Sequence, residues 1–378
     1  MTETKYSGIA SIGEIPAHWR TYRIKSLLSL RSEKNSGDHD LLSVYLDRGV
    51  ISYNDSDGMQ VHKPSADLSN YQNVHVGDFV LNNQQAWRGS VGVSKYDGII
   101  SPAYFVFSLS DKCDPGYMNF LLRDGSMVQQ YETASRGVGT IQRNLYALWF
   151  YESLVALPPK DEQKTIAAFL SAKCAEIDAL TADIQTQINT LEQYKRSVIT
   201  ETVTKGLNPN SEMKDSGVFY MAPMNATWRL TKIGYICSKL SRSFAPEDTA
   251  LICSNKGKVQ VRADDLTGIM VSDDNAMQGI RSGDIAIHGM DTWHGAIALS
   301  EYDGKITRVV HVCDSTEDKR FVVYYMQHLA FQGVYKLISN GVRGNTSDFR
   351  SWDKVRDIWI AIPETKEEQA AICDYLDS

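Results

Sequence analysis

Two stretches decide the fold: LPPKDEQKTIAAFL, Leu157–Leu170, and IPETKEEQAAICDYL, Ile362–Leu376. Each begins with an apolar residue and a proline, passes through a charged run into Glu-Gln, and continues with apolar residues at helical spacing. Proline ends what precedes it, acidic residues suit a first helical turn, and the later spacing is that of a helix. Both stretches therefore read as helix starts. Gln163 matches Gln369 and Leu170 matches Leu376, each 206 positions on by subtraction.

The flanks repeat as well. VGDFVLNNQQAWRGSVGVSKYDG from Val76 faces SGDIAIHGMDTWHGAIALSEYDG from Ser282. Gly77-Asp78 matches Gly283-Asp284, Trp87 matches Trp293, and Gly89 matches Gly295, all at the same offset. Upstream, IPAHWRTYRIKSLLSL faces MNATWRLTKIGYICSK, with Trp19 matching Trp228 at an offset of 209. A drift of a few residues is what loop insertions produce, so the chain carries two copies of one unit.

Each copy has roughly 150 residues of short apolar runs broken by Gly and Asn. Alternation such as Val91-Gly-Val93 and Ile285-Ala-Ile287 predicts strands. The expected fold class is α/β of the α+β kind. One domain covers 1–158, a long helix 159–206, a second domain 207–363, and the start of another helix 364–378.

Asp161 to Lys205 contains neither Gly nor Pro. Leu170, Ile177, Ile184, Leu191 and Val198 fall seven apart, with Leu180 and Tyr194 on the intervening seam. That heptad predicts a coiled-coil helix, and Lys173 and Gln187 interrupt it as register-setting polar residues do. Gly206 and Pro209 in KGLNPN end it. At about 1.5 Å per residue it spans roughly 65 Å. A lone helix of this kind needs a partner stripe. The second copy starts such a helix, but Ser378 aligns with Ala172, so about 30 residues of it are expected to be missing. Either the sequence is cut short, or the chain is short by nature and borrows a partner from another molecule.

At 378 residues, 43% hydrophobic and 22% charged, the chain is a globular protein of two domains. It has no apolar run of 18 residues and no basic-then-apolar leader, which points away from membranes and export and towards the cytoplasm. Six scattered cysteines without a CxxC pair read as reduced thiols. A net charge of -7 argues against a nucleic-acid partner until its distribution is examined. Arg229, Lys232, Lys239, Arg242, Lys256, Lys258 and Arg262 stand against only Glu247 and Asp248 within residues 229–262. Residues 20–48 are milder, with six basic against four acidic residues.

The order of motifs resembles the specificity (S) subunit of type I restriction–modification systems across essentially the whole chain. IGEIPAHW at Ile12, LPPKDEQKTIAAFL, the long helix and IPETKEEQAAICDYL carry the likeness, and the doubled proline-to-Glu-Gln helix start is its most specific part. The resemblance implies a non-catalytic subunit with two target recognition domains, each reading one part of a split double-stranded DNA sequence. It implies paired helices as a spacer, methyltransferase (modification) subunits, two in number, and a restriction/translocase subunit docked on the assembly. S-adenosylmethionine and ATP would sit on those partners, leaving this chain without a cofactor. The short second helix departs from the pattern. It leaves open a half-length specificity protein working as a dimer, and a scaffold that binds no DNA.

DNA affinity needs cations near phosphates, and specificity needs Arg, Asn, Gln or Lys at base edges. Four loop-like stretches supply these. NNQQAWRG and SRGVGTIQRNL in the first copy nominate Gln84, Gln85, Arg88, Arg136, Gln142, Arg143 and Asn144. HGMDTWHG and SNGVRGNTSDFR in the second nominate His294, Arg343, Asn345, Thr346 and Arg350. Lys239, Arg242, Lys256, Lys258 and Arg262 join them from the basic run. The bland reading of such residues is a loop bonding its own backbone. Trp19, Trp87, Trp228 and Trp293 recur at matching positions, which favours a shared core or rim role over base stacking.

Enzyme readings fare worse. DPGY (Asp114–Tyr117) resembles the DPPY element of adenine methyltransferases but lacks a proline and a glycine-rich cofactor loop, so it reads as a turn. Gly137-Val138-Gly139 also reads as a turn rather than a dinucleotide loop. His288, Asp291 and His294 have metal-ligand chemistry but no counterparts in the first copy, so no metal is expected.

Overall fold

The computed structural model describes residues 3–37, 39–56, 64–65, 67–138, 142–262, 276–339 and 349–378. The chain divides into two compact units, Met1–Ala182 and Asp183–Ser378.

At the centre of the first unit is a four-stranded antiparallel sheet in the order Leu28–Arg31, Tyr104–Leu109, Phe79–Asn82, Val91–Val93. Side chains alternate between two cores. Phe79, Leu81, Val91 and Phe107 face a cluster with Met118, Met127, Tyr131 and Phe150. Val80 and Val106 face a smaller cluster with Leu42, Val44 and Val50. Those last three belong to a hairpin, Leu42–Tyr45 with Gly49–Ser52. Phe79–Asn82 and Val91–Val93 are thus covered on both faces, which is why they carry continuous apolar runs, while the edge strand Leu28–Arg31 exposes Ser29 and Leu30.

Helices α1 (Pro115–Leu121), α2 (Gly125–Thr133) and α3 (Ala147–Phe150) complete this unit. Asp114 caps α1, its Oδ1 accepting from Tyr117 N–H at 3.0 Å, and Pro115 takes the first helical position. DPGY is therefore a helix start, not a turn. Of Gly137-Val138-Gly139, the first two residues lie in a strand rather than a turn, Ser135–Val138 pairing antiparallel with Gln142–Leu145. Residues 139–141 lie outside the described residues.

Helix α4 is continuous from Lys160 to Lys205, 46 residues. Ile166 and Ala167 near its start join the first unit's core, and Ile199 and Val203 near its end join the second's. Every residue from 171 to 197 is exposed. Ile177, Leu180, Ile184, Leu191 and Tyr194 of the heptad are between 48% and 67% exposed, while Leu170 and Val198 at its ends are half-buried. Phe169 and Ile188 are exposed as well, so the apolar stripe is wider than a strict heptad. Gly206 ends the helix at a φ of 86°, its N–H donating to Thr202 O at 3.0 Å.

The second unit repeats the first. Its sheet runs Cys237–Lys239, Val310–Ser315, Ile285–His288, Ile297–Leu299. Ile285, Ile287 and Cys313 face one core, Ala286, Val310 and Val312 the other. The hairpin Leu251–Ser254 with Lys258–Val261 covers the second face. Helices α5 (Ile233–Ile236), α6 (Lys319–Phe331), α7 (Val334–Ile338), α8 (Trp352–Arg356) and α9 (Lys366–Asp377) follow.

In both units the early strand pairs with the strand that leads into the terminal helix. Arg20–Arg23 pairs with Leu154–Leu157, and Arg229–Lys232 with Trp359–Ile362. This places Trp19 Nε1 3.1 Å from Glu162 Oε1 and Trp228 Nε1 3.0 Å from Glu368 Oε1. These two tryptophans thus pin a helix start. Among the described residues, no helix is long and apolar enough to cross a membrane. All six cysteines are free thiols, and only Cys174 is exposed.

Candidate nucleic-acid interface

Each unit builds a polar loop after the second strand of its sheet pair, and builds it the same way. In the first unit Asn82 Oδ1 accepts from Gln84 N–H at 3.0 Å and starts the turn. A single 3-10 turn, Ala86–Arg88, follows, with Ala86 buried as its anchor and Gly89 closing it at a φ of 97°. Only glycine tolerates that angle without strain. In the second unit His288 Nδ1 takes the place of the Asn82 carbonyl, accepting from Asp291 N–H at 3.1 Å. Thr292–His294 is the 3-10 turn, Thr292 is buried, and Gly295 closes at 81°. The scaffold is held constant while its exposed side chains differ: Gln84 and Arg88 in one, His294 in the other.

A second segment is tied to each loop. Leu145 N–H donates both to Asn83 O at 3.1 Å and to Asn83 Oδ1 at 2.9 Å. The matching bond is Phe349 N–H to Gly289 O at 3.0 Å. Asn83 was not among the expected site residues. Its signal was only its position in NNQQ, and its role is to join the two loop stretches.

In the first unit this tie gathers the expected residues onto one surface. Arg88 and Arg143 lie over Trp87, with 5.3 and 5.0 Å from guanidinium carbon to ring centre. Arg143 also bonds Glu132 at 2.8 Å. Arg136 lies 4.2 Å over Trp149. An arginine held over an aromatic face loses rotamer freedom in advance, and Arg143 is fixed further by its carboxylate partner. Asn144 is exposed and stands opposite Arg136 in the hairpin. The backbone of Gln142 pairs with Val138. Gln84, Gln85 and Arg88 line a cavity of about 590 Å³ with Asn82, Tyr45 and Tyr104.

The second unit is only partly visible in these terms. Arg343, Asn345 and Thr346 lie outside the described residues. Arg350 is exposed beside the buried Phe349, and His294 is exposed at the loop. Lys336 lies 5.9 Å from the centre of the Trp293 ring. Burial pushes His288 below the usual imidazole range, with Asp291 opposing it. Its Nδ1 lone pair already accepts backbone N–H groups, which leaves it poorly placed as a ligand.

The basic run of 229–262 does not form one open patch. Arg229 pairs with Glu317 at 2.7 Å and Lys232 with Asp357 at 3.0 Å. Arg242 makes a two-pronged pair with the buried Asp284, both contacts at 2.8 Å. The first unit has the same relation more loosely, Arg31 to the buried Asp78 at 3.5 Å. Arg242 thus belongs to a structural pair found in both units, and a carboxylate already engages its fork. Lys239, Lys256 and Lys258 are exposed, and Arg262 is half-buried.

Comparison with known proteins follows this geometry. No family model matches the chain. It is 24% identical over 245 residues to a putative type I restriction enzyme MjaX specificity subunit of Methanocaldococcus jannaschii, across 59% of this chain. The chain spans about half the length of that curated relative, 53%. Among solved structures, a chain from work on complex assembly and conformational transition of the type I R-M system superposes with a TM-score of 0.64. That match has 18% identity and covers 96% of this chain and 90% of the other. The HsdS subunit from Thermoanaerobacter tengcongensis matches at 18% identity over 96% of this chain and 89% of its own, with a TM-score of 0.48. The chain is thus similar in sequence to a type I restriction enzyme specificity subunit and shares the α+β fold, long helix included, of a solved chain from the type I R-M system.

Proposed function

We propose that this protein is the sequence-reading subunit of a type I restriction–modification complex. Two recognition domains, 1–158 and 207–363, bind duplex DNA and each reads one part of a divided target. Residues 159–206 supply the spacer helix. The chemistry belongs to partners: two methyltransferase subunits using S-adenosylmethionine and a translocase using ATP.

The observation that carries this reading is the loop built twice on one backbone plan with different polar side chains. A constant frame with changed hydrogen-bonding groups is what two readers of different base pairs require. Joining two such readers makes the second contact intramolecular, which turns modest affinities into a tight one. The exposed apolar stripe on α4 fits a second helix, since burying each Leu or Ile contributes roughly 1.5–3 kcal/mol.

The test is a mobility shift with random-sequence and target duplexes, with and without a type I methyltransferase subunit, followed by mapping of methylated sites. A reader retards DNA and directs methylation to a divided sequence. A scaffold binds the methyltransferase and ignores the duplex.

A further inference from the structure

In the second unit a cleft of about 380 Å³ opens between α4, the hairpin tip at 255–257 and the loop carrying His294. Its lining includes Lys195 and Arg196 from α4, Lys256 from the hairpin, and His294 and Phe331. Glu192 also lines it and is the single carboxylate there. Lys195, Arg196 and Lys256 form no ion pair among the described residues, in contrast to Arg229, Lys232 and Arg242.

The walls are fixed. Gly257 has a φ of 68°, and a Cβ there would come 2.5 Å from Gln327 Nε2, so the hairpin tip sits hard against α6. Gln327 is itself held by a bond to Ile297 O at 2.7 Å. Arg196 lies 5.3 Å over the Phe331 ring, which orients its guanidinium. Three cations from two elements thus converge on a preformed polar hollow beside a reading loop. Like charges lining one cleft repel one another, and an anion seated there relieves that cost.

We propose that this cleft seats a backbone phosphate of the DNA, so that α4 touches the duplex directly and is more than a spacer. The proposal rests on the DNA-reading function above. Such a contact positions the duplex without reading sequence. It sets the register of the His294 loop on its base pairs.

The test uses the full chain in complex with its methyltransferase. Affinities for target and random duplexes are measured between 50 and 200 mM KCl for Lys195→Gln, Arg196→Gln, Lys256→Gln and the triple variant. Lys205→Gln is the control, because Lys205 lies on the same helix and pairs with Glu201 at 3.0 Å. Loss of the seated phosphate in the triple variant lowers the slope of log affinity against log salt by about 0.9, or roughly 3.5-fold over that salt range, equally for both duplexes, and each single substitution lowers it by part of that. The control leaves the slope unchanged. An unchanged slope in the triple variant, or an equal drop in the control, overturns the inference while leaving DNA reading intact. Loss of complex formation assigns the cations to the protein partner and also overturns it. A wild-type complex that ignores duplex DNA overturns the proposed function itself.

Discussion

Gln163 Oε1 accepts the backbone N–H of Asp114 at 2.8 Å, and Gln369 makes the same bond to Asp318 at 2.9 Å. Each glutamine also donates to the carbonyl of the proline before its helix, Pro158 or Pro363. Both side chains are buried, and Asp114 and Asp318 are the N-caps of α1 and α6. One amide therefore ties the start of a terminal helix to the start of a domain helix, twice in one chain. This is the physical content of the doubled Glu-Gln motif.

Replacing either glutamine by alanine leaves buried backbone groups without partners, each worth about 1–3 kcal/mol. Gln163→Ala is expected to weaken the first unit by at least that much, and Gln369→Ala the second. Chemical denaturation of each variant checks this. A loss below about 0.5 kcal/mol, the size of an ordinary surface change, would show the tie to be unimportant.

Leu180→Asp and Leu191→Asp should leave the fold almost untouched, because both side chains are exposed in the single chain. Association is where they should act. Sedimentation at rising concentration, and with the methyltransferase added, is expected to show assembly by the unaltered chain and its loss in the variants. A chain that stays monomeric and partnerless throughout argues against a seam on α4.

Cys174 is the one exposed thiol, and it flanks the heptad seam next to Lys173. Burial pushes Cys237 up to about 11 and Cys253 up to about 12, so those two remain protonated at neutral pH. Thiolates rather than thiols react. Titration of the native protein with an alkylating reagent is expected to modify Cys174 first and nearly alone. Binding of a helix along the seam should then slow that reaction several-fold, as followed by mass spectrometry.

Buried His328 in α6 is lowered to about 4 by burial, below its ordinary value of 6.5. The unfolded chain therefore takes up its proton first. The stability this group confers is complete above pH 6.5 and is lost as pH falls towards 4, by about 3 kcal/mol in all. His288 and His311, in the same unit, are lowered in the same direction by burial. Denaturation midpoints should fall across that window, and His328→Gln should flatten the fall. A midpoint independent of pH between 6.5 and 4 would show that His328 is not buried in its neutral form.

Arg143→Ala removes a guanidinium held over Trp87 at the first unit's proposed interface. Methylome mapping is expected to show relaxed choice in one half of the target and an unchanged other half. Arg343→Ala, at a position beyond the described residues, is expected to relax the opposite half. Identical methylation patterns would remove these arginines from base reading.

Much of the architecture was legible in the residues. The Gln163 and Gln369 motifs, the strand runs around Val91 and Ile285, and the helix ending at Gly206 follow from local rules of proline, glycine and periodicity. Exposed heptad positions were legible too, because a stripe every seven residues on a charged helix says which side waits for a partner. The site was less so. Residue type alone nominated Arg242 without showing its bond to Asp284, and it gave no sign that Asn83 joins two loops or that Lys195 and Arg196 line a cleft with Lys256.

Sequence by itself determined that the unit occurs twice, where the long helix starts and stops, where the last helix begins, and which loops vary between copies. These depend on neighbours a few residues apart, or on comparing one half with the other. Which cations are free was decided only by tertiary structure. Asp284 lies 42 positions from Arg242, and Lys256 lies 60 from Arg196 by subtraction, so only the folded chain brings the first pair into a salt bridge and the second to one cleft. Charge is written in the chain, but its neutralisation depends on distance in space, and that is what folding sets.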